Sequence, residues 1–198
     1  CIRDREKGHQ VTLYEASDKL GGNMRLAAYP PGKGDITNMI RSYIVRCQKA
    51  GVTIKMNQEV TLDLIREEKP DSVIVASGSR TLILPIEGID NPAIIHGSDL
   101  LDGKRAAGKK VLVVGGGMVG CETAAFLGEQ NHDVTVIEFR DTVGADVIHE
   151  HRVYLMKDFE DYKIKEITGA KVCKFYEDGV EYETADLSLI HISEPTRP

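Results

Sequence analysis

The chain has 198 residues, 41% hydrophobic and 28% charged, with a formal net charge of −6. That length supports one large or two small domains, and the acidic balance argues against nucleic-acid or anionic-membrane partners. No apolar run reaches a membrane span, no signal peptide opens the chain, and the scattered Cys1, Cys47, Cys121 and Cys173 form no CxxC, which suits a reducing cytoplasm and no metal site.

In chain order, Cys1–Lys7 reads as the back half of a helix. Val11–Glu15 is a β-branched run ending in a carboxylate, a buried parallel strand. Gly21 to Gly34 is a Gly- and Pro-rich loop. Asp35 is placed as the cap of a helix reaching about Ala50, with Ile36, Met39, Ile40, Tyr43, Ile44 and Cys47 on one buried face and Gly51 as its stop. Val52–Met56 is a strand, Leu62–Glu68 a short helix and Ser72–Ala76 a second buried strand. Pro85, Gly88 and Pro92 punctuate a connector ending near Gly108.

Val111–Val114 is then a strand, Gly115–Gly120 a glycine turn and Cys121–Glu129 a helix. Val134–Glu138 is the next strand. Lys171–Tyr176 and Val180–Thr184 read as two strands about the turn Glu177-Asp178-Gly179. The order is α/β with mainly parallel sheets.

An internal repeat organises these pieces. Gly8–Glu15 aligns with Asn131–Glu138 at an offset of 123 residues, and the match continues with Asp18 over Asp141 and Gly21 over Gly144. The first copy's glycine turn is therefore expected before residue 1. Leu187–Pro198 resembles the translation of a sequencing adapter and is set aside as a non-native tail. The chain is expected to hold two tandem Rossmann-like dinucleotide-binding domains, both truncated. They are assigned as 1–107 for FAD and 108–186 for NAD(P), the latter lacking its closing strand.

The strongest motif is Gly115-x-Gly117-x-x-Gly120, set between a strand and a helix, with Glu138 at the end of the following strand. Gly115 permits the tight turn, Gly117 lets backbone approach a pyrophosphate, and Gly120 lets helix and strand pack. Gly116, Met118 and Val119 complete the phosphate cradle at the helix N-terminus. Glu138 can accept ribose hydroxyls and repels a 2′-phosphate, favouring NADH over NADPH, although Arg140 nearby could accommodate that phosphate. Glu15 holds the matching position in the first copy. Gly21-Gly22-Asn23 and Ala76-Ser77-Gly78 supply small residues where backbone passes close to a cofactor, here FAD.

The order of these motifs, from Val11–Glu15 through Gly21-Gly22, Pro30–Lys33, Val75–Gly78 and the glycine turn, resembles the C-terminal half of NADH:flavin oxidoreductases of the old yellow enzyme group. The 2,4-dienoyl-CoA reductase and 2-enoate reductase branch is the most similar. The resemblance implies an electron-entry module. NADH reduces FAD here, and electrons continue through an iron–sulfur centre to FMN in an N-terminal barrel outside this chain. It also implies that the fragment alone is inactive. A weaker analogy with two-dinucleotide flavoenzymes places Glu122 near the nicotinamide; the plainer reading is a solvated or capping Glu in the first helical turn. Two other functions stay open: a non-catalytic nucleotide-binding domain, and a pyridine nucleotide-disulfide reductase fragment with its cysteine pair elsewhere. Three residues read as structural: His149-x-His151 carries no third metal ligand, and Cys121 is expected to be buried and inert.

Overall fold

In a computed structural model, residues 1–184 and 189–193 are described. The chain divides into two units, Cys1–Ala28 with Gly32–Arg80, and Tyr29–Pro31 with Thr81 onward. The division falls at Arg80/Thr81, with residues 81–107 in the second unit. The connector groups with the second unit because Ile86, Ile89 and Ile94 pack on the cluster of Ile137, Ala170, Val172, Phe175, Val180 and Tyr182.

The first unit contains α1 (Ile2–Glu6), β1 (Thr12–Tyr14), α2 (Asn23–Leu26), α3 (Asp35–Lys49), β2 (Thr53–Lys55) and α4 (Leu62–Glu68). β1 and β2 pair in parallel, Leu13 against Ile54. α4 spans the expected residues: the Thr61 hydroxyl accepts the Leu64 N–H at 3.2 Å, and Lys69 closes the helix in the left-handed conformation.

Three expectations need correction here. Asp35 is the first residue of α3, not its cap; the Ile36 and Thr37 N–H groups donate to the Lys33 and Gly34 carbonyls, so the backbone itself satisfies the first turn. The intended buried face of α3 is only half-covered, with Met39 and Tyr43 exposed. Ser72–Ala76 has no strand ladder. Val73, Ile74 and Val75 are 51%, 75% and 84% exposed, because no other strand among the described residues lies alongside to pair with them.

The second unit contains α5 (Gly97–Leu101), β3 (Lys110–Val114), α6 (Met118–Glu129), β4 (Asp133–Ile137), α7 (His149–Asp161), β5 (Lys165–Ile167), β6 (Ala170–Phe175), β7 (Gly179–Thr184) and β8 (Leu189–Ser193). β3, β4 and β5 form a parallel sheet in that order. β6 and β7 are the expected antiparallel pair, and β8, inside the segment set aside as a tail, pairs antiparallel with β7. The rest of that segment lies outside the described residues. Among the described residues, no helix is long and apolar enough to cross a membrane.

The core of this unit lies between α6, α7 and the parallel sheet. Cys121, Ala124, Ala125 and Leu127 meet Val134, Val136, Val143, Leu155, Phe159 and Ile164. Small side chains on α6 let the helix sit close to the strands, and each fully buried Val or Leu contributes about 1.5–3 kcal/mol.

The internal repeat is present in three dimensions as well. The Glu15 N–H donates to Lys55 O and its carbonyl accepts from Gln58; the Glu138 N–H donates to Ile167 O and its carbonyl accepts from Ala170. α3 and α7 end alike: Val52 N–H donates to Cys47 O, and Ile164 N–H to Phe159 O. Left-handed residues follow at Gly51 and Asn57 in one copy and at Lys163 and Gly169 in the other.

Candidate functional site

The glycine turn of the second unit is built as its spacing requires. Gly115 has φ +101°, a conformation that favours glycine, and its N–H donates to Ile137 O at 2.9 Å. A Cβ on Gly120 would lie 1.8 Å from the Gly115 carbonyl oxygen, so helix and turn close only with glycine there. A Cβ on Gly116 would press on Val143 at 2.8 Å and Glu138 at 2.9 Å.

Gly117 precedes α6, and Met118 and Val119 at the start of the helix are exposed. The expected cradle residues Gly115 to Gly120 are thus assembled around the N-terminal end of α6. That helix aims backbone N–H groups and a positive dipole end at any anion seated there.

Glu138 is 6% exposed, and both its oxygens are engaged. Oε2 accepts the Gly116 N–H at 2.6 Å and Oε1 accepts the Arg140 N–H at 3.0 Å. The carboxylate therefore locks the glycine turn to the end of β4. Glu15 makes the matching local contact, its Oε1 accepting the Ser17 N–H at 2.9 Å and the Ser17 hydroxyl at 2.8 Å. A cavity of about 220 Å³ beside the turn is lined by Gly116, Gly117, Glu138, Arg140, Thr142 and Asp146, with Phe139 at its edge. The Arg140 guanidinium lies 5.6 Å from the Phe139 ring centroid. Glycine backbone, a helix N-terminus and a fixed carboxylate around this cavity match the needs of a dinucleotide: close approach for phosphates and an acceptor for ribose.

Two residues of this region escaped the sequence reading. Asp146 Oδ1 accepts the Met118 N–H at 3.0 Å, placing a carboxylate on the first turn of α6. Extending the repeat two residues past Gly144 would have found it, opposite Asn23. His151, which reads as structural in sequence, places its Nε2 3.1 Å from Glu122 Oε1. Glu122 is 7% exposed, which overturns its reading as a solvated or capping residue: α7 covers it.

Cys121 is fully buried, and its Sγ donates to Gly116 O at 3.2 Å. Burial pushes its thiol up to about 11, so it is the inert thiol expected.

In the first unit, Asn23 Nδ2 donates to the Ser79 carbonyl at 3.1 Å and to its hydroxyl at 3.0 Å. This joins Gly21-Gly22-Asn23 to the segment following Ala76-Ser77-Gly78, two pieces far apart in sequence. Gly21, Gly22 and Gly78 all have positive φ, and Ala76, Ser77 and Gly78 are exposed. Glu15 is half-buried at the end of β1.

A family model described as pyridine nucleotide-disulphide oxidoreductase matches residues 2–192. The chain belongs to that family. Bilirubin reductase of Mediterraneibacter gnavus is 33% identical over 180 residues, covering 91% of this chain and 28% of that protein. NADH oxidase of Thermoanaerobacter brockii is 34% identical over 185 residues, covering 91% and 28%. A solved 2-naphthoyl-CoA reductase complex with 2-naphthoyl-CoA superposes with a TM-score of 0.91 at 32% identity, covering 98% of this chain and 29% of that one. The chain thus spans just over a quarter of the length of these relatives. Family membership and the parallel sheets make this a Rossmann-like oxidoreductase module of the kind that serves flavin and nicotinamide dinucleotides.

Proposed function

We propose that this chain is the electron-entry module of a larger flavin oxidoreductase of the old yellow enzyme group, in the 2,4-dienoyl-CoA and 2-enoate reductase branch. The observation that carries the reading is the Glu138 carboxylate clamped to Gly116 beside the N-terminus of α6. Gly115 to Gly120 would receive the pyrophosphate of NADH, and Glu138 its adenosine ribose. Glu15, Gly21, Gly22, Asn23, Ala76, Ser77 and Gly78 would line the FAD side.

When bound, NADH supplies a hydride and FAD accepts it; the protein's work is to place and desolvate the two rings. Glu138 disfavours a 2′-phosphate, so NADH is preferred to NADPH. Glu122 is assigned beside the nicotinamide, with its carboxylate held by His151. FMN, an iron–sulfur centre and the reducible substrate belong to the remainder of the larger protein. The names of the relatives, an NADH oxidase and two reductases, support this reading.

The exposed Val73–Val75 run also supports it. Three consecutive apolar β-branched residues, exposed and in no ladder among the described residues, have the composition of a strand without its neighbour, and we assign that neighbour to the rest of the protein.

The test is an anaerobic titration of the complete protein with NADH, followed at the flavin absorbance. Loss of flavin absorbance on adding NADH is expected, and it is complete only after more than one equivalent, because FAD, the iron–sulfur centre and FMN together take more than the two electrons that one NADH carries. Saturable NADH binding with no bleaching would replace the reading with a non-catalytic nucleotide-binding domain.

A further inference from the structure

The two copies of the repeat differ at one position of consequence. Asp146 and Asn23 are repeat equivalents, two residues after Gly144 and Gly21. They are nearly the same shape, but one is an acid and the other its amide. Asn23 uses its amide to hold Ser79. Asp146 turns to the glycine turn of its own copy and takes the Met118 N–H at 3.0 Å. Its two carboxylate oxygens stand 3.2 and 3.5 Å from where a Cβ on Gly117 would lie. A full negative charge therefore covers the stretch of backbone that Gly117 leaves bare, at the end of α6 that attracts anions.

A dinucleotide's pyrophosphate is anionic and seeks the same N–H groups. The two anions compete for one place, and like charges brought together cost affinity. Asp146 is exposed, so its side chain can rotate into water when displaced. The displacement gives up its bond to Met118 and leaves a carboxylate close to the incoming phosphates.

We propose that Asp146 is an affinity-setting residue of the second dinucleotide site. By occupying the phosphate end of α6 it keeps nicotinamide dinucleotide binding weak and rapidly reversible. This rests on the dinucleotide reading given above. It also gives that reading a division of labour: a nicotinamide cofactor must leave after each hydride transfer, whereas a flavin stays. The copy whose ligand must exchange carries the acid, and the copy whose ligand stays carries the neutral amide.

The test compares NADH binding to the complete protein and its Asp146→Asn variant, by equilibrium titration and by stopped-flow release. Asn keeps an oxygen for the Met118 N–H and removes the charge. Its NADH Kd is expected to fall by about fivefold, the scale of one charge at an exposed helix terminus, chiefly through slower release. FAD content should be unchanged. Asp146→Ser is the second variant should the Asn protein fail to fold, and the same direction is expected. An unchanged or larger Kd in a folded variant, with NADH still binding the parent protein, overturns the role of Asp146 alone. Absence of saturable NADH binding to both parent and variant overturns the dinucleotide reading, and the proposal with it.

Discussion

His151 Nε2 and Glu122 Oε1 lie 3.1 Å apart and tie α7 to α6 beneath the glycine turn. The pair is separated by 29 residues and is mostly sheltered from water, Glu122 more so than His151. A carboxylate covered in this way is held in one orientation, whereas a solvated Glu on the same helix would sample several. Glu122→Ala is expected to lower stability by about 1–2 kcal/mol, because it strips a sheltered imidazole of its acceptor. Denaturant unfolding measures this. If Glu122 also meets the nicotinamide, the same variant slows NADH-to-FAD hydride transfer in anaerobic stopped flow; an unchanged rate limits Glu122 to structure.

The glycines of the turn should separate by what a methyl group would strike. Gly120→Ala drives a Cβ into the Gly115 carbonyl, and backbone cannot yield as a side chain can. A loss of about 3 kcal/mol is expected, with loss of NADH binding. Gly117→Ala meets only the end of the Asp146 side chain, at 3.2 Å. It should retain stability within about 1 kcal/mol and weaken NADH binding by crowding the phosphate approach. Thermal melts alongside NADH titrations distinguish the two; equal melts for both variants would contradict the packing described.

Glu138 has two tasks in this geometry. Glu138→Ala leaves the buried Gly116 N–H without its acceptor and should cost about 1–3 kcal/mol. Glu138→Gln keeps most of the shape and removes the charge. It is expected to raise kcat/KM for NADPH relative to NADH, since the repulsion of a 2′-phosphate goes with the charge. An unaltered ratio would show that Arg140 and Phe139, not Glu138, choose the cofactor.

Cys121 gives a pH dependence with a definite sign. Burial raises its thiol from 9.0 to about 11, so the folded state holds the proton more tightly than the unfolded state. Its contribution to stability is complete below pH 9 and declines as the pH rises toward about 11. Cys121→Ala or Cys121→Ser should flatten that decline in denaturant melts across this range. In the native protein at pH 8, iodoacetamide should label the exposed Cys1 and spare Cys121.

Much of the glycine turn is legible in the sequence. The repeat of Gly8–Glu15 in Asn131–Glu138 is a repeat of hydrogen bonds, with Glu15 and Glu138 each accepting the N–H two residues on. The demands on Gly115 and Gly120 follow from φ and from close approach, which are local requirements written in residue type. The fate of Ser72–Ala76 was not legible. Its composition is that of a strand, but a strand exists only when a neighbour supplies the ladder, and here the segment is exposed and in no ladder among the described residues. The burial of Glu122 was hidden for a similar reason, since it depends on α7 packing over α6.

The sequence alone determined the alternation of strand and helix, the two-copy design, the glycine turn and its terminal carboxylate. These arise from short-range periodicity and backbone sterics, which act within a few residues. Tertiary structure alone decided that Asp146 caps Met118, that His151 holds Glu122 and that the 81–107 connector packs with the second unit. Those depend on which side chains distant segments bring within about 3 Å of each other, a matter of packing that no local pattern encodes.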